Sequence, residues 1–312
     1  MACKNWNSCA FYATCTEGIG GGTSTLEVYA QEGRLELLQL IWQKRLCQLR
    51  TNRVESVAKA AGIGGHVPLL RWIKQERPFF TPHVDNIMFL AAAKNGHEGA
   101  VRMCHDEWNM LAVDMAMQKA ARGGHEHLVR QCYAWGGRRL EWVMAAAAKG
   151  GHERIMRIIR DEWDATVNVG SSLAAAAEAG NEHLAQLCYE QWGARNVDQA
   201  MVRGAKSGHE RIMRMCHDEW GATYLNDAMF WAARYGHEHI VRLCIEEWRA
   251  TDVVGAMVEA ACRGHEGIVR LCYEKWGASA AGVAAVLKLQ GLDRHDHIVA
   301  MCETWQREIY SQ

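Results

Sequence analysis

The chain of 312 residues has almost no net charge and no long apolar run. Its 35 basic and 36 acidic residues give a formal net charge of -1, so no overall field attracts nucleic acid or anionic lipid. No stretch approaches the about 18 uninterrupted apolar residues of a membrane span, and the N-terminus has no basic-then-apolar signal region. These absences predict a soluble, intracellular protein without a nucleic-acid or membrane partner.

A short phrase, Gly-His-Glu, returns about every 28 residues and organises most of the sequence. Its six copies are Gly96-His97-Glu98, Gly124-His125-Glu126, Gly151-His152-Glu153, Gly208-His209-Glu210, Gly236-His237-Glu238 and Gly264-His265-Glu266, with variants Gly180-Asn181-Glu182 and Arg294-His295-Asp296. A tryptophan follows each copy by ten or eleven residues, from Trp108 to Trp305. Two markers in phase are typical of stacked structural repeats.

The repeat predicts one domain rather than several. Weaker copies lead to Trp42 and Trp72, which makes about ten units. We therefore predict an all-α solenoid over residues 26–312, preceded by an irregular arm at 1–25 that contains Gly18 and Gly20–Gly22. The last unit, 280–312, has Gln290-Gly291 in place of the usual alanine pair, and we interpret it as a polar cap.

Each unit is expected to form two short helices joined by a tight turn. Around Gly208, the residues Met201, Gly204 and Ala205 form one apolar stripe, and a second stripe runs from Ile212 to Trp220. The glycine before the histidine is predicted to end the first helix in the left-handed conformation. Small pairs such as Ala120-Ala121 are expected to let the first helices approach closely.

The twelve cysteines do not indicate a disulfide framework. Seven of them occupy the same position in their units, three or four residues before the tryptophan: Cys104, Cys132, Cys188, Cys216, Cys244, Cys272 and Cys302. Neighbouring helices lie about 8–10 Å apart, whereas the Cα atoms of a disulfide lie within about 7 Å. We predict small, buried, reduced side chains.

Second helices carry Glu at their start and Arg four residues later, in six units from Glu98 and Arg102 to Glu266 and Arg270. This is the favoured order for an ion pair on a helix surface, worth a few tenths of a kcal/mol. We interpret the stripe as a solvated outer face rather than as a binding surface.

The pattern Ala-Ala-x-x-Gly-His followed by an aliphatic pair, as in Ala120 to Val129 and Ala232 to Val241, resembles the helix–turn–helix half of the ankyrin repeat. The units depart from that family because they have 28 residues instead of 33 and lack its Thr-Pro-Leu-His motif. Those missing residues would form the protruding β-hairpin, so we expect short loops between units. The resemblance implies hydrogen bonds from the turn histidines that tie neighbouring turns together.

The combination of Cys-His-Asp-Glu-Trp with Gly-His-Glu, at Cys104 to Trp108 and Cys216 to Trp220, is similar to the ankyrin-type proteins of large DNA viruses, and most closely to those of fish iridoviruses. This resemblance implies a protein that binds and inhibits a host signalling component, for example a kinase or another member of the NF-κB pathway. It also implies residence in the host cytoplasm, with the nucleus as an alternative.

Catalytic and metal-binding chemistry is not predicted. Turn histidines of successive units are expected about 10 Å apart, too far to share a zinc ion whose ligands lie about 2.0–2.3 Å from it. Cys3, Cys9 and Cys15 are spaced by six residues, unlike common zinc knuckles, and we interpret them as loose thiols. Because every Cys, His and Glu candidate in the repeats is periodic, we predict a scaffold that is not an enzyme and needs no cofactor.

Residues that break the periodicity are the candidates for partner binding, because the periodic ones hold the stack together. The candidates are Trp142, Arg203, Tyr224, Phe230, Trp231 and Tyr235. Exposed Trp, Tyr and Arg dominate interface energies, although such rings could also only fill gaps beside small neighbours. Two other functions remain open: a self-associating scaffold, which includes a homodimer, and a helical-repeat RNA binder, which is disfavoured by a mixed or apolar inner face.

Overall fold

The computed structural model describes residues 25–43, 51–76, 82–278, 280–288 and 296–311. These residues form twenty helices and no β-strand, and the chain divides into two compact units, Met1–Trp163 and Asp164–Gln312. The predicted arm lies outside the described residues except at Thr25, where a helix already begins, and Gln290-Gly291 of the predicted cap lies outside them as well. No described helix is long and apolar enough to cross a membrane.

The first unit contains ten helices: α1 (Thr25–Gln31), α2 (Leu35–Gln43), α3 (Thr51–Gly64), α4 (Val67–Glu76), α5 (Pro82–Lys94), α6 (Glu98–Trp108), α7 (Val113–Gly123), α8 (Glu126–Ala134), α9 (Leu140–Gly150) and α10 (Glu153–Arg157, continued by a π-helical segment at Ile158–Trp163). Each odd-numbered helix packs on the even-numbered helix that follows it, and from α1 to α9 the odd-numbered helices also pack side by side. The described part of this unit is therefore a stack of helix pairs.

The second unit repeats this order with ten helices: α11 (Gly170–Ala179), α12 (Glu182–Gln186, then π-helical at Leu187–Gln191), α13 (Val197–Ser207), α14 (Glu210–Arg214, then π-helical at Met215–Glu219), α15 (Leu225–Tyr235), α16 (Glu238–Arg242, then π-helical at Leu243–Glu247), α17 (Val253–Arg263), α18 (Glu266–Glu274), α19 (Ala280–Leu287) and α20 (Asp296–Ser311). Its odd-numbered helices again pack side by side. Both units confirm the predicted helix–turn–helix pairs and short connections, and they are consistent with a helical-repeat solenoid.

Within each unit, the Gly-His turns connect one helix pair to the next. The turn glycines have φ between +68° and +82°, which confirms the predicted left-handed helix end. The histidine ring of the next pair lies against seven of these glycines: Gly33, Gly65, Gly96, Gly124, Gly180, Gly208 and Gly236. In six of these pairs the histidine Nε2–H donates to a carbonyl oxygen at the end of the preceding first helix. These bonds join His66 to Gln31, His97 to Ile63, His125 to Lys94, His152 to Arg122, His237 to Lys206 and His265 to Arg234, at 2.6–3.2 Å.

We call each turn histidine, with its hydrogen bond to the preceding first helix, a histidine latch. The histidine latches predict a loss of stability in mild acid. Partial burial lowers the pKa of His125 and His237 below the ordinary 6.5, so the unfolded chain binds protons more readily than the folded one. The free energy of unfolding should therefore fall between about pH 7.5 and about pH 5.5, as measured by urea denaturation. The double variant His125→Asn, His237→Asn, which copies Asn181, should weaken that dependence.

The matched control for this prediction is His83→Asn, because His83 is exposed and does not contribute to the pKa shifts of His125 and His237. That variant should keep the full pH dependence. An unfolding free energy that stays level across the same pH interval in the wild type would show that the histidine latch does not oppose protonation.

The second helices bury their repeated cysteines and stack tryptophans on the preceding pair. All seven repeated cysteines are fully buried and none of them forms a disulfide bond, as predicted. Burial raises the pKa of five of these thiols to about 12. Among the described residues, five of the repeat tryptophans stack on a His or Tyr of the preceding pair. In His105–Trp135 and Tyr189–Trp220 the ring centroids are 3.9 and 4.5 Å apart. We call this row of stacked rings the tryptophan ladder.

The predicted Glu–Arg pairs are present in all six units, at 2.6–3.1 Å. Two of the arginines also bind a carboxylate of the next pair. Arg130 also binds both carboxylate oxygens of Glu162, and Arg214 those of Glu247, at 2.6–2.8 Å. The stripe is thus partly an inter-pair network, and these hydrogen bonds lower the pKa of Glu162 and Glu247.

Gly204 is the exception among the alanine pairs, and its replacement by alanine should stabilise the protein. A Cβ atom there would lie 3.4 Å from Ile212 Cγ2 and 3.6 Å from Met213 Cγ, which is ordinary contact. Alanine in a helix interior is favoured over glycine by about 0.5–1 kcal/mol, so the urea midpoint of Gly204→Ala should rise. Gly62→Ala should instead lower the urea midpoint, because its Cβ would lie 2.7 Å from the Met88 carbonyl oxygen. If both changes shifted the midpoint equally, this explanation would be refuted.

Candidate partner-binding surface

Helix α15 presents aromatic side chains on the face opposite its core. Ala228, Met229, Ala232 and Ala233 are buried against neighbouring helices. At helical spacing, residues 230, 231, 234 and 235 fall on the other side. This face lies on the first-helix row of the second unit, beside α13 and α17.

Three rings of this face form a group that we call the Trp231 cluster: Phe230, Trp231 and Tyr235. Phe230 meets Trp231 edge-on, with centroids 5.6 Å apart, and Trp231 lies 6.2 Å from Tyr235. Phe230 and Trp231 are half-buried, whereas Tyr235 is 46% exposed. The structure therefore brings together three of the six predicted residues.

Two cations hold the Trp231 cluster in place. Lys206 Nζ, at the end of α13, lies 5.8 Å from the Trp231 ring and 5.4 Å from the Tyr235 ring. Arg234 lies 5.6 Å from the Trp231 ring and also forms a 2.8 Å ion pair with Glu259 on α17. Cation–π contacts of this kind orient the rings without burying them.

A diagonal contact between adjacent first helices explains this arrangement. Each contact joins a residue to one 25 positions earlier, as in Arg203 with Glu178 at 3.1 Å, Trp231 with Lys206, and Glu259 with Arg234. Lys206, Arg234 and Glu259 were not among the predicted residues, because the prediction rested on exposed aromatic residues that break the periodicity and on Arg203. The constant offset of 25 is the signal that could have found them.

The other three candidates lie apart from the cluster. Arg203 is engaged by Glu178. Tyr224 is 56% exposed but stands at the opposite end of α15 from Tyr235, about 16 Å away at 1.5 Å per residue. Trp142 belongs to the first unit, where it is 52% exposed and Arg139 lies 4.3 Å from its ring.

The loop before α15 is fixed by a carboxylate of α13, the preceding first helix. Asp198 Oδ1 accepts hydrogen bonds from the backbone N–H groups of Thr223 and Tyr224, at 2.6 and 3.0 Å. Asp114 makes the same pair of bonds to Arg138 and Arg139. Such pairs of hydrogen bonds order the surface loops in advance, so the exposed side chains lose less conformational entropy when a partner binds.

Within the described ranges, no group of three or more His, Cys, Asp or Glu side chains is arranged to hold a metal ion. The repeated cysteines are too buried to act as nucleophiles, since only the thiolate reacts and burial disfavours it. A scan against protein-family models finds no match for the chain, and a search of curated proteins finds none either.

Proposed function

We propose that the chain is a non-enzymatic, ankyrin-like repeat protein that binds another protein, and that the Trp231 cluster forms part of the binding surface. The observation that carries the proposal is that three aromatic rings are held, partly exposed, by Lys206 and Arg234 on a repeat surface. Trp, Tyr and Arg are the residue types that contribute most to binding energy at interfaces. The held rings therefore offer a pre-organised anchor.

The repeats themselves indicate that folding does not require these rings. The position equivalent to Trp231 holds alanine at Ala91, Ala146 and Ala175 and a charged residue at Lys119, Arg203 and Glu259. A position equivalent to Tyr235 holds Ala179. Alanine at either site is thus already compatible with the helix stack. A bulky side chain kept where alanine suffices favours a role in recognition.

The resemblance to viral ankyrin-type proteins supports a narrower form of the proposal. In that form the partner is a host signalling protein, such as a kinase or a component of the NF-κB pathway, which the chain sequesters in the host cell. The cytoplasm would be the place of this encounter.

Affinity capture from host-cell lysate tests the proposal. The bait is the full chain, compared with the double variant Trp231→Ala, Tyr235→Ala. We expect wild type to retain a host protein that the double variant loses by at least about tenfold, which corresponds to about 1.4 kcal/mol. Thermal unfolding of the two baits should be the same.

The control variant is Tyr310→Ala, which removes another exposed tyrosine, 81% exposed on α20. It should capture as much partner as wild type. Equal capture by wild type and the double variant would remove the Trp231 cluster from the binding surface. Recovery of the bait protein alone would favour the self-associating scaffold.

A further inference from the structure

Three adjacent helices of the first unit share one surface pattern that the second unit lacks. Each has an apolar residue and, seven positions later, a basic one. The pairs are Ile87 and Lys94 on α5, Met115 and Arg122 on α7, and Trp142 and Lys149 on α9. The equivalent pairs in the second unit are Ser171 and Glu178, Gln199 and Lys206, Asp227 and Arg234, and Gly255 and Cys262.

The helices lie side by side, so the residues form two rows across them. His125 Nε2 donates to the Lys94 carbonyl oxygen and His152 Nε2 to that of Arg122, at 2.9 and 3.2 Å. A Cβ atom at Gly123 would collide with the Lys94 carbonyl oxygen. The basic ends of α5, α7 and α9 are therefore in register, and the apolar residues form a second row two helical turns away.

Three basic side chains of this surface, Lys94, Lys119 and Arg122, are not neutralised by it. The last two turns of α5, α7 and α9 contain no acidic residue, and Lys119 adds a further charge beside Arg122. No acidic side chain of the described residues forms an ion pair with Lys94, Lys119 or Arg122. In the second unit, by contrast, the arginines at matching positions pair with Glu178 and Glu259.

The helix dipole accounts for only part of this row. Basic residues are favoured in the last turn of a helix, which suits Lys94 and Arg122. Lys119 lies one turn earlier, and Glu178 occupies the last turn of the equivalent helix α11. The dipole also gives no reason for the exposed apolar residues, of which Met115 is 51% and Trp142 52% exposed.

The spacing of the two rows fits an α-helix lying across them. Seven residues at 1.5 Å per residue separate the rows by about 10 Å, close to the diameter of a helix with its side chains. One edge of such a ligand would meet the apolar row and the other the basic row. Met115 is flexible and aliphatic and packs on apolar side chains rather than stacking on bases, which favours a peptide over RNA.

We propose that the surface formed by Ile87, Met115 and Trp142 with Lys94, Lys119 and Arg122 binds an acidic amphipathic helix of a partner protein. Apolar side chains of that helix pack on the first three residues, and its carboxylates pair with the other three. Crossing three helices at about 9–10 Å spacing requires about 14 residues of ligand helix. This surface is separate from the Trp231 cluster, and its binding does not depend on that cluster.

The test is fluorescence polarisation of a labelled synthetic peptide on the full chain. The peptide carries leucines on one face and aspartate and glutamate on the other; a second peptide has its leucines replaced by serine. We expect only the leucine peptide to bind. The double variant Lys119→Gln, Arg122→Gln and the double variant Met115→Ser, Trp142→Ser should each weaken its binding about tenfold. The control variant Arg263→Gln, Lys288→Gln removes equal charge elsewhere and should bind like wild type.

Added salt should weaken the peptide complex, because its charge pairs are exposed. The proposal is overturned if the amphipathic peptide does not bind, if the serine peptide binds equally, or if Lys119→Gln, Arg122→Gln leaves binding unchanged. It is also overturned if single-stranded oligouridylate binds this surface and the peptide does not. Neither Trp231→Ala nor Tyr235→Ala should alter peptide binding. A negative result for the peptide therefore leaves the proposal about the Trp231 cluster untouched, and the two proposals can fail separately.

Discussion

Replacing Gly208 with alanine is expected to lower the free energy of unfolding by about 3 kcal/mol. Gly208 has a φ of +79°, so alanine would be strained there. Its Cβ atom would also lie 2.8 Å from Nδ1 of the His237 ring. The ring must then move, and its 3.0 Å hydrogen bond to the Lys206 carbonyl oxygen is lost. Urea denaturation followed by circular dichroism measures the loss.

Gly221→Ala is the matched control, because it isolates the backbone strain from the collision. Gly221 has a φ of +74° but nothing lies within 4 Å of its Cβ position. Its replacement should cost only the left-handed strain, about 1–2 kcal/mol. In a His237→Ala background, Gly208→Ala should fall to the same small cost. Equal costs for Gly208→Ala and Gly221→Ala in the wild type would refute the histidine latch.

Trp220→Ala should be similarly destabilising, by about 3 kcal/mol. The Trp220 side chain is only 8% exposed, and its ring stacks on Tyr189 of the preceding pair at 4.5 Å. Alanine would leave a cavity at the boundary between two helix pairs and end the stacking. Thermal unfolding of the variant should show a clearly lower midpoint.

The control for this change is the same substitution elsewhere in the second unit. Trp231→Ala removes a tryptophan outside the ladder, at a position where other repeats carry alanine. It should change the free energy of unfolding by less than about 1 kcal/mol. If Trp231→Ala destabilised the protein as much as Trp220→Ala, the distinction between ladder and surface tryptophans would fail.

The sequence could predict the features that depend on one repeat alone. Helix pairs, turn glycines, buried cysteines and the Glu–Arg pairs within a helix follow from local spacing, and the structure confirms each. The π-helical ends of α10, α12, α14 and α16 leave no equivalent mark in the hydrophobic pattern, because the same Cys and Trp positions also occur in the purely α-helical α18.

Contacts between repeats were harder to predict, because they depend on how one helix pair is offset from the next. The second partners of Arg130 and Arg214 belong to the following pair, and so do the loops clasped by Asp114 and Asp198. The candidate surface shows the same limit. Non-periodic residues identified Trp231 and Tyr235, but Lys206 enters the cluster from α13 through the 25-residue offset.

These contacts suggest a division between periodic and non-periodic residues. Periodic residues, such as His237 and Trp220, hold neighbouring helix pairs together. Non-periodic aromatic residues, such as Trp231, stand on a surface that folding does not need. A protein built in this way can change its recognition surface while the stack stays intact, which is the property that the proposed binding function requires.

The most direct test of this division is to measure capture and thermal unfolding together for Trp220→Ala and Trp231→Ala. Capture is done below both unfolding midpoints, from the same lysate. We predict that Trp231→Ala loses the captured host protein with its midpoint unchanged, whereas Trp220→Ala unfolds at lower temperature and still captures it. Retention of the protein by Trp231→Ala, together with its loss by the folded Trp220→Ala variant, would contradict the account.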